Sequence, residues 1–285
     1  IYRMTVQLKA WIPGKGSVIK VAEPFTFPGG ELHLRKIKDF GDDEVTWIAD
    51  VRGAGLDDLM TAALLADVAR EKEQRFVLML PYLPAARADR GTPLGAGPYA
   101  DFINSIYAEE VIVIDPHSDV MPSYLDRVTV LDGIELVERA TYGYGFDGVI
   151  APDAGAALRA SKVAKKLGVD LYQAEKKRDF ESGILLAYKM DEKLPKSGKY
   201  LVVDDICDGG GTFKMLATET GLGGDQLSLW VTHGIFSGAA DGLKDFYGRI
   251  MTTDSHPGCF RMGVATAVVP AYIHMLQRME GFRWV

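Results

Sequence analysis

Six short apolar runs punctuate the chain: VTWIADV (45–51), RFVLML (75–80), EVIVID (110–115), GVIAPD (148–153), YLVVDD (200–205) and LSLWVT (227–232). Several are continuous rather than alternating, the pattern of strands buried on both faces of a parallel sheet. Helix-like segments lie between them. GLDDLMTAALLADVAREK (55–72) carries a broad apolar stripe through Leu59, Ala62, Ala63, Leu65, Ala66 and Ala69. AGAALRASKVAKKLG (154–168) carries Leu158, Val163 and Leu167 and ends on Gly168, a helix stop; GTFKMLATETG (211–221) also ends on glycine. Strand and helix repeated in this way predict an α/β protein with wound parallel sheets flanked by helices. Glycines and tyrosines in RATYGYGFDG, near 140, mark a boundary between two such blocks. The expected domains are 1–140, rejoined by the final helical pattern PAYIHMLQRM within 268–285, and 141–267.

Composition narrows the class. The 285 residues are 47% hydrophobic and 25% charged, as in a globular protein with a real core. The formal net charge is −7 without long blocks of one sign, which argues against a general nucleic-acid surface. Local basic residues still leave phosphorylated small molecules open as ligands. The two cysteines, Cys207 and Cys259, have no metal-type spacing, so a reducing, cytoplasmic setting is expected. No apolar run approaches the roughly 20 residues needed to span a bilayer, and no secretory leader is expected at the start.

The candidate chemistry sits at strand ends, where open parallel sheets bind ligands. VIVIDPHSD brings Asp115, His117 and Asp119 to one strand end, and VIAPDAG brings Asp153 to another, just before a helix. KYLVVDDICDGGGTF (199–213) is the richest. Val202 and Val203 commit it to a strand, and alternation along a strand sends Asp204 and Asp205 to opposite sides. Asp208 follows. Gly209, Gly210 and Gly211 let the backbone bend and approach an anion, and Thr212 opens a helix whose free amides and dipole favour phosphate. Acids for sugar hydroxyls beside a phosphate cradle read as a ribose-phosphate pocket; an N-capped turn with surface acids is the alternative reading of the same residues. The 199–213 stretch fits neither a GxxxxGK loop nor the dinucleotide GxGxxG pattern.

VVDDICDGGGT resembles the phosphoribosyl-diphosphate fingerprint of the phosphoribosyltransferase fold, and further segments narrow the resemblance to the ribose-phosphate diphosphokinases. FPGGELHLR (27–35) resembles their nucleotide loop, LPAARADRGTPLGAGPYADFIN (83–104) their Ala-Arg-Gln-Asp-Arg segment, and DPHSD their metal-binding Asp-Leu-His. APDAGAALRASKVAKKLG resembles their Pro-Asp-x-Gly helix, EKKRD (175–179) their catalytic loop, and VTHGIFSGAA (231–240) a segment near their C-terminus. The pieces are collinear and span most of the chain.

The resemblance implies two phosphoribosyltransferase-type domains and transfer of the β,γ-diphosphate of ATP to the anomeric hydroxyl of ribose 5-phosphate or a derivative, with release of AMP. It implies Mg²⁺ held by His117 and Asp153, directly or through water. Lys176 and Arg178 would be the catalytic cations, and both loops, EKKR and ARADR, would close over substrate. Asp204, Asp205 and Asp208 would hold ribose hydroxyls, and Gly209, Gly210, Gly211 and Thr212 the phosphate. Phe27, Glu31, Arg87, Asp89 and His117 would hold ATP, with Phe27 against the adenine. It also implies a homo-oligomer that shares its nucleotide loop between subunits, and neither nucleic acid nor membrane as partner. Three positions depart from the family pattern: Gly29 for an aspartate, Ala88 for a glutamine, and Gly-Gly-Gly-Thr for Thr-Ala-Gly-Thr. The smaller phosphate loop leaves room for an acceptor larger than ribose 5-phosphate, such as the ADP-ribose from which viral relatives rebuild NAD⁺. A phosphoribosyltransferase would share the glycine turn but not the FPGGE and ARADR segments. A non-catalytic regulatory homologue would lack Lys176 and Arg178.

Overall fold

The computed structural model describes residues 5–178, 185–263, 266–279 and 282, with the side chains of 176–178 and 185–187 left aside. The chain divides into two compact units, 1–131 with 271–285, and 132–270.

The first unit contains β1 (Val6–Ile12), β2 (Gly16–Ile19), β3 (Glu23–Thr26), β4 (Leu32–Arg35), β5 (Thr46–Val51), α1 (Leu56–Glu71) and β6 (Arg75–Leu80). It continues with α2 (Ala96–Asn104), β7 (Glu110–Ile114), α3 (Val120–Ser123) and β8 (Val128–Leu131). Its six-stranded sheet runs β2-β1-β5-β6-β7-β8. Strands β5 to β8 are parallel, and β1 and β2 form an antiparallel edge. The runs predicted at 75–80 and 110–115 are buried almost throughout, as strands covered on both faces must be. A separate hairpin, β3 with β4, carries the FPGGE turn.

The second unit contains α4 (Ile134–Thr141), β9 (Gly148–Ala151), α5 (Ala157–Leu167), β10 (Asp170–Arg178), β11 (Leu185–Met190) and β12 (Tyr200–Cys207). After these come α6 (Gly211–Thr220), β13 (Leu227–Gly234), β14 (Arg249–Thr253) and β15 (Thr266–Val269). Its seven strands run β11-β10-β9-β12-β13-β14-β15, parallel except for the β10–β11 pair. Helix α5 ends as expected at Gly168, in the left-handed region with φ 70°, and α6 at Gly221 with φ 59°. Tyr200, Val202, Leu229, Val231, Leu216 and Leu243 belong to one buried cluster that clamps α6 onto the sheet.

The last helix, α7 (Tyr272–Leu276), is counted with the first unit. There the Tyr272 ring lies 3.3 Å from the buried Lys9 ammonium, which pairs with the buried Asp50 at 2.6 Å. Among the described residues no helix is long and apolar enough to cross a membrane.

Candidate active site

The central strand of the second sheet, β12, ends in the acid pair, and the backbone then turns through Asp208 and Gly209 into α6. Gly210 occupies the left-handed region at φ 77°, where a side chain is strained, and a Cβ there would stand 2.9 Å from Leu243 Cδ1. Gly209 and Gly211 differ: a Cβ on either would meet nothing within 4 Å. The turn is therefore pinned at its middle glycine and open at the outer two. No side chain among the described residues caps α6, so its first amides face the turn as donors for an anion.

The two acids do not diverge as strand alternation predicts. Arg159 Nη1, from the first turn of α5, stands 3.6 Å from Asp204 Oδ1 and 3.9 Å from Asp205 Oδ1. Asp204 also accepts the Asp205 backbone N–H at 2.9 Å, which curls its carboxylate back along the strand. One guanidinium thus gathers both carboxylates. Burial, followed by the charge and hydrogen bonding of Asp205, pushes the Asp204 carboxyl well above the usual range. The Asp205 N–H and Arg159 only partly oppose that rise.

Asp208 is fixed from the segment after β13. The Ser237 hydroxyl donates to its carboxylate, and the Ser237 N–H donates to its carbonyl at 3.1 Å. The amides of Ile235 and Phe236 both donate to the Cys207 carbonyl, which stitches the HGIFSG segment to the acid loop. Burial, then Arg261 and His233, push the nearby His256 imidazole down to about 4, with Asp208 opposing. His256 is therefore neutral at pH 7, and its Nδ1 accepts the Gly258 N–H at 2.9 Å. Cys207 is no nucleophile: burial, with Asp204 and Asp208 beside it, pushes its thiol up to about 12.

Asp153 follows β9, the parallel neighbour of β12, and accepts the Ala156 N–H at 3.1 Å. Lys176 and Arg178, expected on a closing loop, lie instead on β10, in backbone register with Tyr188 and Leu185 of β11. The pairing partner that follows in sequence turns the charged run into a strand. Their side chains, and Asp179, lie outside the described residues.

In the first unit, Asp89 of the ARADR segment comes close to the loop after β7. The Ser118 hydroxyl holds its carboxyl below the ordinary value against the opposing effect of burial, and the charges of Arg90 and His117 add smaller downward pulls. Arg90 Nε stands 3.2 Å from Asp89, while Arg87 and His117 are exposed. Asp115, which opens this loop, holds φ 43°, unusual for a residue with a side chain. On the β3–β4 hairpin, Phe27 is 44% exposed and meets Phe25 edge-on at 4.8 Å. The Gly29 departure has a local counterpart, because the Glu31 carboxylate reaches to 2.5 Å from where a Cβ on residue 29 would be.

Residues 130–218, which include the acid pair and the glycine turn, match the family model of the phosphoribosyl transferase domain. A ribose-phosphate pyrophosphokinase of Pyrococcus furiosus is 30% identical over 245 residues, covering 81% of this chain and 84% of its own. One from Brucella melitensis biotype 1 is 30% identical over 246 residues, covering 77% of each. The chain belongs to the ribose-phosphate pyrophosphokinase family. The crystal structure of phosphoribosylpyrophosphate synthetase from Mycobacterium smegmatis has the same fold, with a TM-score of 0.69 at 21% identity over 89% of this chain and 87% of that one. Within this pyrophosphokinase fold the sequence-predicted residues fall at the β12–α6 turn, the Asp89–His117 loops and the β3–β4 hairpin, with Asp153 after β9 and Lys176 and Arg178 on β10. Sequence reasoning missed Arg159 and Ser237. A signal existed for Arg159, since a cation in the first turn of a helix opposes the dipole and needs another partner.

Among the described residues no three His, Cys, Asp or Glu side chains gather around one point as a protein-built metal cage would. Mg²⁺ prefers oxygen ligands, keeps several waters and takes oxygens from substrate phosphates, so it does not require such a cage.

Proposed function

We propose that this pyrophosphokinase transfers the β,γ-diphosphate of ATP to the anomeric hydroxyl of ribose 5-phosphate. The hydroxyl oxygen forms a new bond to the β-phosphorus, the bond from that phosphorus to the α,β-bridging oxygen breaks, AMP leaves, and the hydroxyl proton passes to solvent or base. The observation that carries the reading is the β12–α6 turn, where three carboxylates stand beside uncapped helix amides and two unobstructed glycines. In this reading Asp204, Asp205 and Asp208 accept the ribose hydroxyls, and Gly209 to Thr212 hold the 5-phosphate.

Phe27, Glu31, Arg87, Asp89 and His117 bind ATP, with the exposed Phe27 ring available to the base. Lys176 and Arg178 offset charge on the moving diphosphate. His117 and Asp153 would hold Mg²⁺, which supplies charge neutralisation on the phosphates. The two units are read as two phosphoribosyltransferase-type domains, and a homo-oligomer as the working form.

The openness of Gly209 and Gly211 favours a second reading of the acceptor, a 5-phosphate continued as a phosphodiester, as in ADP-ribose. Mass spectrometry decides. The protein is given ATP and Mg²⁺ with ribose 5-phosphate in one tube and ADP-ribose in the other, and AMP plus an acceptor heavier by one diphosphate is sought. Product from ribose 5-phosphate supports the first reading, and product from ADP-ribose alone supports the second. AMP in neither tube overturns both.

A further inference from the structure

The second unit has a cavity of about 280 Å³ that the proposed reaction does not use. It opens at the amino ends of the strands. Lys199 directly precedes β12, Ser228 is the second residue of β13, and Arg249 is the first of β14. The glycine turn follows the other end of β12, whose eight residues put roughly 25 Å between the two places.

Its chemistry is specific. The Arg249 guanidinium lies flat on the Tyr144 ring, 3.3 Å from the centroid, and is half-buried. Neither it, nor the Lys199 ammonium, nor the Ser228 hydroxyl has a hydrogen-bond or ion-pair partner among the described residues. Two cations and a hydroxyl therefore line one cavity with their donors unspent, and the exposed Asp225 is the acid in the lining. A stacked guanidinium is a pre-oriented fork for a tetrahedral oxyanion. The volume falls at the bottom of the range for small-molecule pockets, about 300–1,000 Å³, which suits a phosphate monoester and not a dinucleotide.

We propose that this cavity is a binding site for a small phosphate-bearing anion, held by Arg249, Lys199 and Ser228 and separate from the glycine turn. The test is calorimetric titration in a buffer free of phosphate and sulfate, with inorganic phosphate in one arm and glycerol 3-phosphate in the other. The parent protein carries Gly211→Glu, which sets a carboxylate at the glycine turn without a steric clash and removes anion binding there. In that background one site per chain is expected, and Arg249→Met weakens it at least tenfold. Gly145→Leu does the same without touching a charge. Gly145 lines the cavity, does not have positive φ, and offers open space to a Cβ, so the variant folds. Binding to phosphate but not to glycerol 3-phosphate assigns the site to the free ion; binding to both assigns it to the monoester class. No binding in the Gly211→Glu parent overturns the proposal, and so does binding that Arg249→Met and Gly145→Leu leave unchanged.

Discussion

Asp204→Asn should stabilise the ligand-free protein and cripple its chemistry. Two carboxylates, 14% and 7% exposed, share one guanidinium at 3.6 and 3.9 Å. At an effective dielectric of about 20, a charge pair near 4 Å is worth on the order of 4 kcal/mol. The attraction that Asn loses to Arg159 and the repulsion it relieves with Asp205 therefore nearly cancel. What remains is the cost of keeping a second carboxylate out of water, while Asn can still accept the Asp205 N–H. The net gain is about 0.5–2 kcal/mol, or a melting rise of roughly 2–5 °C. The sign depends on pH. The raised Asp204 pKa in the folded state means that the wild type loses stability as pH climbs from the ordinary aspartate value through the folded one. The advantage of Asn therefore grows as pH climbs above the ordinary aspartate value and fades below about pH 4. Loss of a charged acceptor for a ribose hydroxyl costs about 1.5–3 kcal/mol, or roughly ten- to hundredfold in kcat/KM for the acceptor. Thermal melts at pH 7 and pH 4, with AMP-release kinetics, check both halves. A variant less stable than wild type at pH 7, and recovering on acidification, would refute the reasoning, because the Asp204 charge would then be favourable.

Three further outcomes are expected. Arg159→Met removes the guanidinium that reaches both acids and should lose about 3–5 kcal/mol in urea unfolding, less when combined with Asp204→Asn. Gly210→Ala meets a positive φ and Leu243 at 2.9 Å and should cost about 1–3 kcal/mol, whereas Gly209→Ala, with open space, should stay within about 0.5 kcal/mol. Lys9→Met leaves the buried Asp50 paired with Arg52 at 2.9 Å and should lose about 3 kcal/mol at pH 7. Burial would raise the Asp50 pKa, but Lys9 and Arg52 more than offset it, so the pair stabilises above the ordinary aspartate value and is lost as pH falls through the folded one. The urea-stability gap between Lys9→Met and wild type should therefore close in acid.

The strands that the sequence reveals are those the sheets bury on both sides, because continuous runs such as RFVLML have no polar position to blur them. The strands it hides are of another kind. β10 reads as a charged run and becomes a strand because β9 pairs along its first half and β11 along its second. β14 is only five residues, two of them threonines, and their hydroxyls both donate to the Thr232 carbonyl, a bond that exists only once β13 lies alongside. Periodicity cannot register a partner that lies 20 residues away.

The same division runs through the site. The β12–α6 turn was legible because its acids, glycines and threonine occupy one stretch, and strand-to-helix geometry alone brings them together. What the turn does with its charge was not legible. Arg159 comes from α5 and Ser237 from the segment after β13, and both reach the acids only because the strand order is β9-β12-β13. Their presence also explains why alternation failed for the acid pair. Two carboxylates on opposite sides of a buried strand would need two cations, one in each layer. Curling Asp204 toward Asp205 lets one arginine reach both. Burial and the neighbouring Asp205 make the Asp204 charge a burden to the empty protein; under the proposed function, ribose hydroxyls would satisfy the carboxylates without adding charge. A second buried acid costs stability, so the proposed ribose site gives the pair a role that folding alone does not.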